Sequence, residues 1–167
     1  MFLERITEMD TPLRKPTETP LRNVRTNIVQ AIRAYRIPDL QAAAESLGAH
    51  FLYANLAHAQ TKADIFELLS TQFHLPAHFG KNWDALYDCL TDPISKAGPQ
   101  PGFVVVLDQI PTTPKFDKEI REQLLDVFRD TAEFWAERKI AFRCLYSFLS
   151  ARPEPQNARI LRAFSLA

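Results

Sequence analysis

Segments typical of strands alternate with segments typical of helices between His50 and Leu149, and this order constrains the fold more than any other feature. In chain order the segments are a strand at 50–56, helices at 61–73 and 82–92, a strand at 103–107, a helix at 117–138 and a strand at 140–149. Strands separated by helices are joined by right-handed crossovers and pair in parallel. We therefore expect an α/β fold in which a three-stranded parallel sheet is packed with helices.

Two polar residues stand where helices of this order are expected to begin. Thr61 precedes the first amphipathic stretch and Asn82 precedes the second. Their side-chain oxygens can accept hydrogen bonds from the free backbone amides of a first helical turn. The run from Phe103 to Leu107 is apolar at every position, as in a strand that is covered on both faces. We expect this run to be the central strand of the sheet.

Charge and composition divide the chain into three parts. We expect an N-terminal extension at 1–47, an α/β domain at 48–150 and a basic tail at 151–167. The domain has 10 basic and 13 acidic groups, whereas the whole chain has 20 of each sign and is neutral. A neutral chain has no chain-wide field that attracts nucleic acid, so no direct nucleic-acid partner is expected. Any electrostatic function must be local.

Only part of the N-terminal extension is predicted to be ordered. Residues 1–27 contain three prolines and no apolar periodicity, which is typical of a flexible arm. Residues 28–36 fit either a short helix or a short strand. A short helix is expected near 39–47, because Asp39 can cap its start and Gly48 can end it.

The sequence indicates a cytoplasmic protein with no membrane partner. The first ten residues mix charges of both signs and never form the apolar stretch that export requires. The longest purely apolar run among the strand segments, Phe103 to Leu107, falls far short of the roughly 20 residues that a membrane helix needs. The two cysteines, Cys89 and Cys144, are too few for a disulfide framework, and we expect both to be reduced and buried.

The second amphipathic segment carries an unusual row of acidic residues. On a helix that begins near Trp83, the carboxylates of Asp84, Asp88 and Asp92 fall at i, i+4 and i+8 and share one side. Like charges at this spacing destabilise a helix by a few tenths of a kcal/mol per pair, unless something cationic meets them. Two interpretations remain open: a surface that mimics a polyanion and enters a cationic cleft, or a solvated helix face with Trp83 and Tyr87 partly in the core.

The same region resembles a known family. The residues that carry the resemblance are Leu75-Pro76, Phe79-Gly80, Asn82 and the run Asp84-Ala-Leu-Tyr-Asp-Cys-Leu-Thr91, with Val127-Phe128-Arg129-Asp130 further on. They are similar to the signature of the barstar family, intracellular inhibitors of the secreted ribonuclease barnase, over about residues 49–149. The resemblance implies a three-stranded parallel sheet with helices, no catalysis, and an inhibitory surface on the second helix and the loop before it.

The resemblance also implies roles for individual residues at a partner-binding surface. Asp88 matches the family's central acidic residue, which is expected to meet the arginines of a guanyl-specific ribonuclease at the site where phosphate binds. Asp84 matches a second acidic contact and Asp130 an acid on the later helix. The remaining matches are an aromatic contact at Tyr87, an apolar contact at Trp83 and a polar contact at Thr91.

Three positions depart from the family's pattern. His78 stands where a tyrosine contacts the nuclease, Lys81 replaces an acid and Asp92 replaces a glycine. Changes of charge at the rim of an interface alter steering and specificity more than fold, so the identity of the partner is open. The hypothesis is a non-enzymatic bacterial immunity protein or antitoxin that blocks a ribonuclease. The alternative is the same acidic surface binding another basic partner, a regulator or a toxin that is not a nuclease.

Catalytic, metal and cofactor sites are not expected. His74 and His78 are separated by Pro76 and cannot share a regular helical face, so the four histidines predict no metal site. The chain has neither a glycine-rich phosphate loop nor a G-x-S-x-G motif. Asp84 and Asp88 could form an acid–base pair, but an exposed helix face offers no cleft to separate their pKa values.

Overall fold

The computed structural model describes residues 21, 24–32, 36–92 and 101–149. The predicted arm at 1–27 lies outside these residues except for Leu21 and 24–27, and the tail at 151–167 lies outside them entirely. The strands are β1 (Ile28–Ala31), β2 (His50–Asn55), β3 (Phe103–Ile110) and β4 (Phe142–Phe148). The helices are α1 (Ile37–Ser46), α2 (Lys62–Gln72), α3 (Trp83–Thr91) and α4 (Lys118–Glu137).

The sheet has four parallel strands in the order β1-β4-β3-β2. The α/β fold with a parallel sheet is confirmed, but the expectation of three strands is wrong. The fourth strand is β1, which comes from the segment at 28–36 that fits either a helix or a strand by sequence. It pairs with β4 in a register that places Ile28 beside Arg143 and Ala31 beside Tyr146. Pairing with a strand so distant in sequence, rather than local propensity, decides its conformation.

Apolar side chains cover the sheet on both faces. One face of the sheet carries the larger of two apolar cores. This larger core contains Val105 and Leu107 of β3 together with Phe128 and Trp135 of α4. The apolar residues of α2 and α3 complete this core. Every residue of β3 from Phe103 to Leu107 is no more than 1% exposed, as expected for a strand covered on both sides.

The other face of the sheet is covered by α1, and we call it the α1 face. Val104, Val106 and Leu145 pack there against Leu40, Ala43 and Ala44 of α1, together with Leu21 and Val24. Leu21 is only 2% exposed and Val24 only 6%, so the chain just before β1 lies against this face. Residues of α1, β3 and β4, with Leu21 and Val24, therefore form a second core.

The predicted caps of α2 and α3 are present, whereas the predicted cap of α1 is not. The Thr61 hydroxyl accepts from the amide of Asp64, and the Asp64 carboxylate accepts from the amides of Gln60 and Thr61, which lowers the pKa of Asp64. The side chain of Asn82 accepts from the amide of Ala85 at 2.7 Å. In α1 the residue before the helix is Arg36, and Asp39 lies inside the first turn.

A polar cluster on the α1 face joins β2, β3 and β4 near their carboxyl ends. Tyr53 donates its hydroxyl to Asp108 at 2.8 Å, and Ser147 donates to the other oxygen of the same carboxylate at 2.9 Å. The backbone N–H of Gln109 donates to the Ser147 hydroxyl. Gln109 lies at an irregularity of β3 and has a φ of 58°. Burial and the neighbouring Asp108 carboxylate both raise the pKa of Tyr53.

Candidate protein-binding surface

The candidate protein-binding surface is built around α3. One side of this helix is apolar and buried, and the other side is acidic and exposed. Leu86 and Leu90 point into the larger core and are almost completely buried. Asp84 and Asp88 lie on the other side and are exposed to solvent. The Asn82 cap fixes where the helix begins, and the helix spacing then presents both carboxylates outward. The expectation of exposed acidic side chains on this helix agrees with their positions.

On one side of α3 lies an open groove of about 550 Å³ between this helix and α4, which we call the acidic groove. It is lined by Trp83, Asp84, Tyr87, Gln123, Asp126, Val127, Asp130, Glu133, Phe134 and Glu137. Five of these residues carry carboxylates and three are aromatic. The groove therefore combines negative charge with ring faces and edges, which is suited to cationic side chains of a partner.

Three contacts hold α3 against α4 along this groove. The indole N–H of Trp83 donates to the side-chain oxygen of Gln123 at 3.0 Å. The Tyr87 ring meets the Phe134 ring in an edge-to-face arrangement with centroids 6.3 Å apart. At the buried end, the indole N–H of Trp135 donates to the backbone carbonyl of Leu90 at 3.1 Å. These contacts keep the groove in one shape.

On the other side of α3 lies a second open depression of about 560 Å³, which we call the loop depression because the loop before α3 forms one wall. It is lined by Pro76, His78, Phe79, Gly80, Ala85, Asp88, Cys89, Thr91 and Asp92. Cys89 is half-buried here rather than buried as expected, and its pKa is raised by burial and by the charges of Asp88 and Asp92. Cys144 is fully buried, and burial likewise raises its pKa.

All eight residues predicted to bind a partner line one of these two depressions. The acidic groove contains Trp83, Asp84, Tyr87 and Asp130, and the loop depression contains His78, Asp88, Thr91 and Asp92. The acidic residues of α3 thus do not form one uniform row but are divided between the two sides of the helix. Four residues are slightly more than one turn of a helix, so Asp88 is rotated away from Asp84 and lines the loop depression, as does Asp92 after the helix ends.

Two of the eight residues offer less surface than the sequence suggests. Thr91 is only 7% exposed and donates its hydroxyl to the backbone carbonyl of Tyr87 at 2.8 Å. Its polar group is therefore already engaged within the helix. Asp92 follows the last turn of α3 and is half-buried, whereas Asp84, Asp88 and Asp130 are exposed. The exposed carboxylates are the ones most available to another molecule.

The protein's own cations leave these exposed carboxylates unpaired. Within the described part of the chain, no ion pair involves Asp84, Asp88 or Asp130. Arg129 pairs with Asp126, another acid that lines the acidic groove, at 2.7 Å and with Glu122 at 3.1 Å. Lys81, in the loop before α3, forms an ion pair with Glu67 of α2. The surface therefore keeps an uncompensated negative charge.

The contribution of α4 to the acidic groove goes beyond the single residue Asp130 that sequence reasoning identified. Gln123, Glu133, Phe134 and Glu137 also line it. The sequence contains a signal for three of them, because Gln123, Phe134 and Glu137 recur at helical spacing with positions 127 and 130 and share one side of α4. What the spacing does not tell is that this side faces α3.

Among the residues that the structure describes, no group of three or more His, Cys, Asp or Glu side chains is placed to hold a metal ion. Within the same residues, no helix has both the length and the apolar character needed to cross a bilayer.

A comparison with protein families finds a match to the family described as Barstar (barnase inhibitor) over residues 49–147. The match spans more than half of the chain's 167 residues and includes α3, its preceding loop and α4. The chain therefore belongs to the barstar family. A comparison with curated proteins finds no match. The strand β1 and the helix α1 lie before the matched range.

Proposed function

We propose that this protein is a non-enzymatic inhibitor, acting as an immunity protein or antitoxin in the bacterial cytoplasm, that blocks the cationic active site of a guanyl-specific ribonuclease. Its binding surface consists of α3, the acidic groove and the loop depression. The observation that carries the proposal is the exposure of Asp84 and Asp88 on successive turns of α3 with no ion pair in the described chain. Membership of the barstar family supports the same type of partner.

Coulomb energy gives a physical reason for such a surface to bind a nuclease. A carboxylate and an arginine about 4 Å apart attract each other by roughly 4 kcal/mol at an effective dielectric constant near 20, before desolvation is subtracted. Arginine can also hold a carboxylate with two parallel hydrogen bonds, as it holds a phosphate. Asp88 in the loop depression, together with Asp84 and Asp130 in the acidic groove, would thus occupy positions that RNA phosphates take in the partner's active site.

The rigidity of the surface supports inhibition rather than transient association. The capped start of α3 and the Trp83–Gln123 hydrogen bond fix the helix before any partner arrives. A binder that is already in its bound conformation loses less conformational entropy on association and therefore binds more tightly.

The departures at the rim leave the identity of the partner open, and with it a second candidate function. Lys81 is paired with Glu67 and places a cation beside the loop depression, and His78 is exposed at the same depression. Changes of residue at the rim of an interface alter which partners it accepts. The second candidate is a different basic partner, a regulator or a toxin that is not a nuclease, bound through the same carboxylates.

An inhibition assay tests the proposal. Cleavage of a fluorogenic RNA by each member of a panel of barnase-type ribonucleases is measured with increasing amounts of the full chain. We expect stoichiometric inhibition of at least one enzyme, weakened at least about 30-fold in Asp88→Ala, the factor given by losing about 2 kcal/mol from a hydrogen bond to a charged group. The control is Glu45→Ala, an exposed acid on α1. Equal inhibition by both variants would show that Asp88 is not at the interface.

A further inference from the structure

Gln30 and Arg143 lie near each other on the α1 face, away from the proposed binding surface around α3. Gln30 of β1 pairs with Leu145 of β4, and Ile28 pairs with Arg143. Residues two apart on a strand point to the same face of a sheet, so Arg143 and Leu145 share a face. Because Leu145 packs in the α1 core, Gln30 and Arg143 both project from the α1 face as diagonal neighbours.

Both side chains have buried hydrogen-bond donors without an acceptor. The Nε atom of Arg143 and the side-chain amide nitrogen of Gln30 are shielded from solvent, and neither has a hydrogen-bond partner among the described residues. A buried donor without an acceptor destabilises a protein by about 1–3 kcal/mol, and a charged one by more. Folded proteins rarely keep such donors, so two on adjacent strands indicate that an acceptor belongs there.

The charge of Arg143 also has no counterpart in the described chain. Burial lowers the pKa of Arg143, and no carboxylate acts on it. Arg129 provides the contrast, because contacts with Asp126 and Glu122 raise its pKa above the ordinary value. The Arg143 side chain is partly exposed and its guanidinium keeps a positive charge, and hydrogen bonds between ionised groups are shorter and stronger than neutral ones. An anion is therefore the acceptor that fits Arg143 best.

We propose that Arg143 and Gln30 form a binding site for a single carboxylate group on the α1 face. A carboxylate carries one negative charge and two oxygens, which matches one guanidinium charge and two donors on neighbouring strands. Arg143 donates from Nε to one oxygen, and the Gln30 amide donates to the other. This site is independent of the acidic surface around α3, and its existence does not depend on the ribonuclease proposal.

The carboxylate can come from one of two sources: an acidic side chain in the first twenty residues of this chain, or a separate molecule. Leu21 and Val24, which precede β1 in the chain, pack against the α1 face. The first twenty residues contain four acids, Glu4, Glu8, Asp10 and Glu18. Tethering gives such groups an effective concentration in the millimolar range. The other source is a carboxylate of a separate molecule.

Hydrogen exchange of the Arg143 Nε–H group, followed by NMR on the full chain, tests the proposal. The signal is assigned through the Arg143 backbone, and the exposed Arg25 serves as the reference for an unprotected guanidinium. Exchange is measured in chloride buffer, then with sodium acetate added at constant ionic strength. It is measured again in a variant that carries Glu4→Gln, Glu8→Gln, Asp10→Asn and Glu18→Gln together.

A tethered carboxylate predicts exchange about tenfold slower than at Arg25 in chloride, the factor expected for one hydrogen bond, and loss of that protection in the fourfold variant. A carboxylate from a separate molecule predicts protection that appears and saturates only when acetate is added. Absence of protection under every condition would overturn the proposal. Protection that survives the fourfold variant and does not respond to acetate would also overturn it, because burial alone, or Gln30 with its amide rotated to accept, would then account for the slow exchange.

Discussion

Trp83 and Gln123 are joined by a hydrogen bond of 3.0 Å from the indole N–H to the side-chain oxygen, and this bond fastens the first turn of α3 to α4 at the acidic groove. The Trp83 ring also packs against Phe66 with centroids 4.6 Å apart, and the Lys62 ammonium lies 5.2 Å from the indole centroid. The side chain thus links α3 to two other helices. Its position determines how Asp84 is presented.

Replacing Gln123 by methionine removes the acceptor and leaves the indole N–H of Trp83 without its partner. We expect the free energy of unfolding to fall by about 1 kcal/mol, since the indole is only half-buried and water can replace part of the bond. Urea unfolding monitored by tryptophan fluorescence measures the change. The matched control is Gln41→Met on the exposed side of α1, which should leave the free energy of unfolding within about 0.5 kcal/mol of the wild type. Equal effects of the two substitutions would show that the bond contributes nothing.

The two cysteines should react very differently with a thiol reagent in the folded protein. The thiolate is the reactive form, and Cys144 is fully buried, so only Cys89 should be labelled before unfolding. Asp88→Asn removes one of the charges that raise the pKa of Cys89 and should speed labelling about twofold to threefold, as for one charge screened by water. The labelling rate at mildly alkaline pH measures this effect.

Asp84→Asn is the control for the labelling experiment, because Asp84 lines the acidic groove on the other side of α3. It should leave the rate at Cys89 unchanged. A complex with the partner should block labelling, since Cys89 lines the loop depression beside Asp88. Equal acceleration by both substitutions would mean that the effect is a general loss of negative charge and not a local one.

The Tyr53–Asp108 contact should appear in the alkaline titration of the protein. The pKa of Tyr53 is raised, so the folded state holds this proton more tightly than the unfolded state does. Its stabilising effect is fully present below the ordinary tyrosine pKa of about 10 and is lost as the pH rises through the folded value. Tyrosinate absorbance measures the titration, and Tyr53→Phe identifies which of the four tyrosines is responsible.

In the Asp108→Asn variant the carboxylate charge is gone, and the pKa of Tyr53 should move down towards its ordinary value. It should stay somewhat above that value, because burial is the largest cause of the shift. The variant should also unfold more easily by about 1–3 kcal/mol, since Tyr53 and Ser147 both donate to Asp108 and the amide has one oxygen to accept them. An unchanged titration of Tyr53 would contradict the assigned contact.

Much of the fold can be predicted from the sequence because the signals that determine it are local. Thr61 and Asn82 each precede their helices directly, and the run Phe103–Leu107 is buried at every position. The strand β1 has no such signal, since Ile28 becomes a strand residue by pairing with β4 at Arg143. Asp39 fails as a cap because the helix begins earlier, with Pro38 in its first turn, where proline is well tolerated.

The candidate site is predictable only to the level of a helix face. Helical spacing places Asp84 and Asp88 on the outer side of α3, and they are exposed. Which depression each aspartate lines depends on where α4 and the loop with His78 pack against α3. The spacing of residues in α3 does not predict the positions of α4 and this loop. The half-burial of Cys89 follows from the same packing.

Competition for the partner's active site tests the proposed mode of inhibition most directly. Binding of the full chain to the ribonuclease identified in the inhibition assay is measured by titration calorimetry, with and without guanosine 3′-phosphate in the active site of the enzyme. If Asp88 and its neighbours occupy the phosphate positions, the apparent dissociation constant should rise in proportion to the nucleotide concentration. A dissociation constant that stays the same at saturating nucleotide would contradict the claim, because the inhibitor would then bind outside the active site.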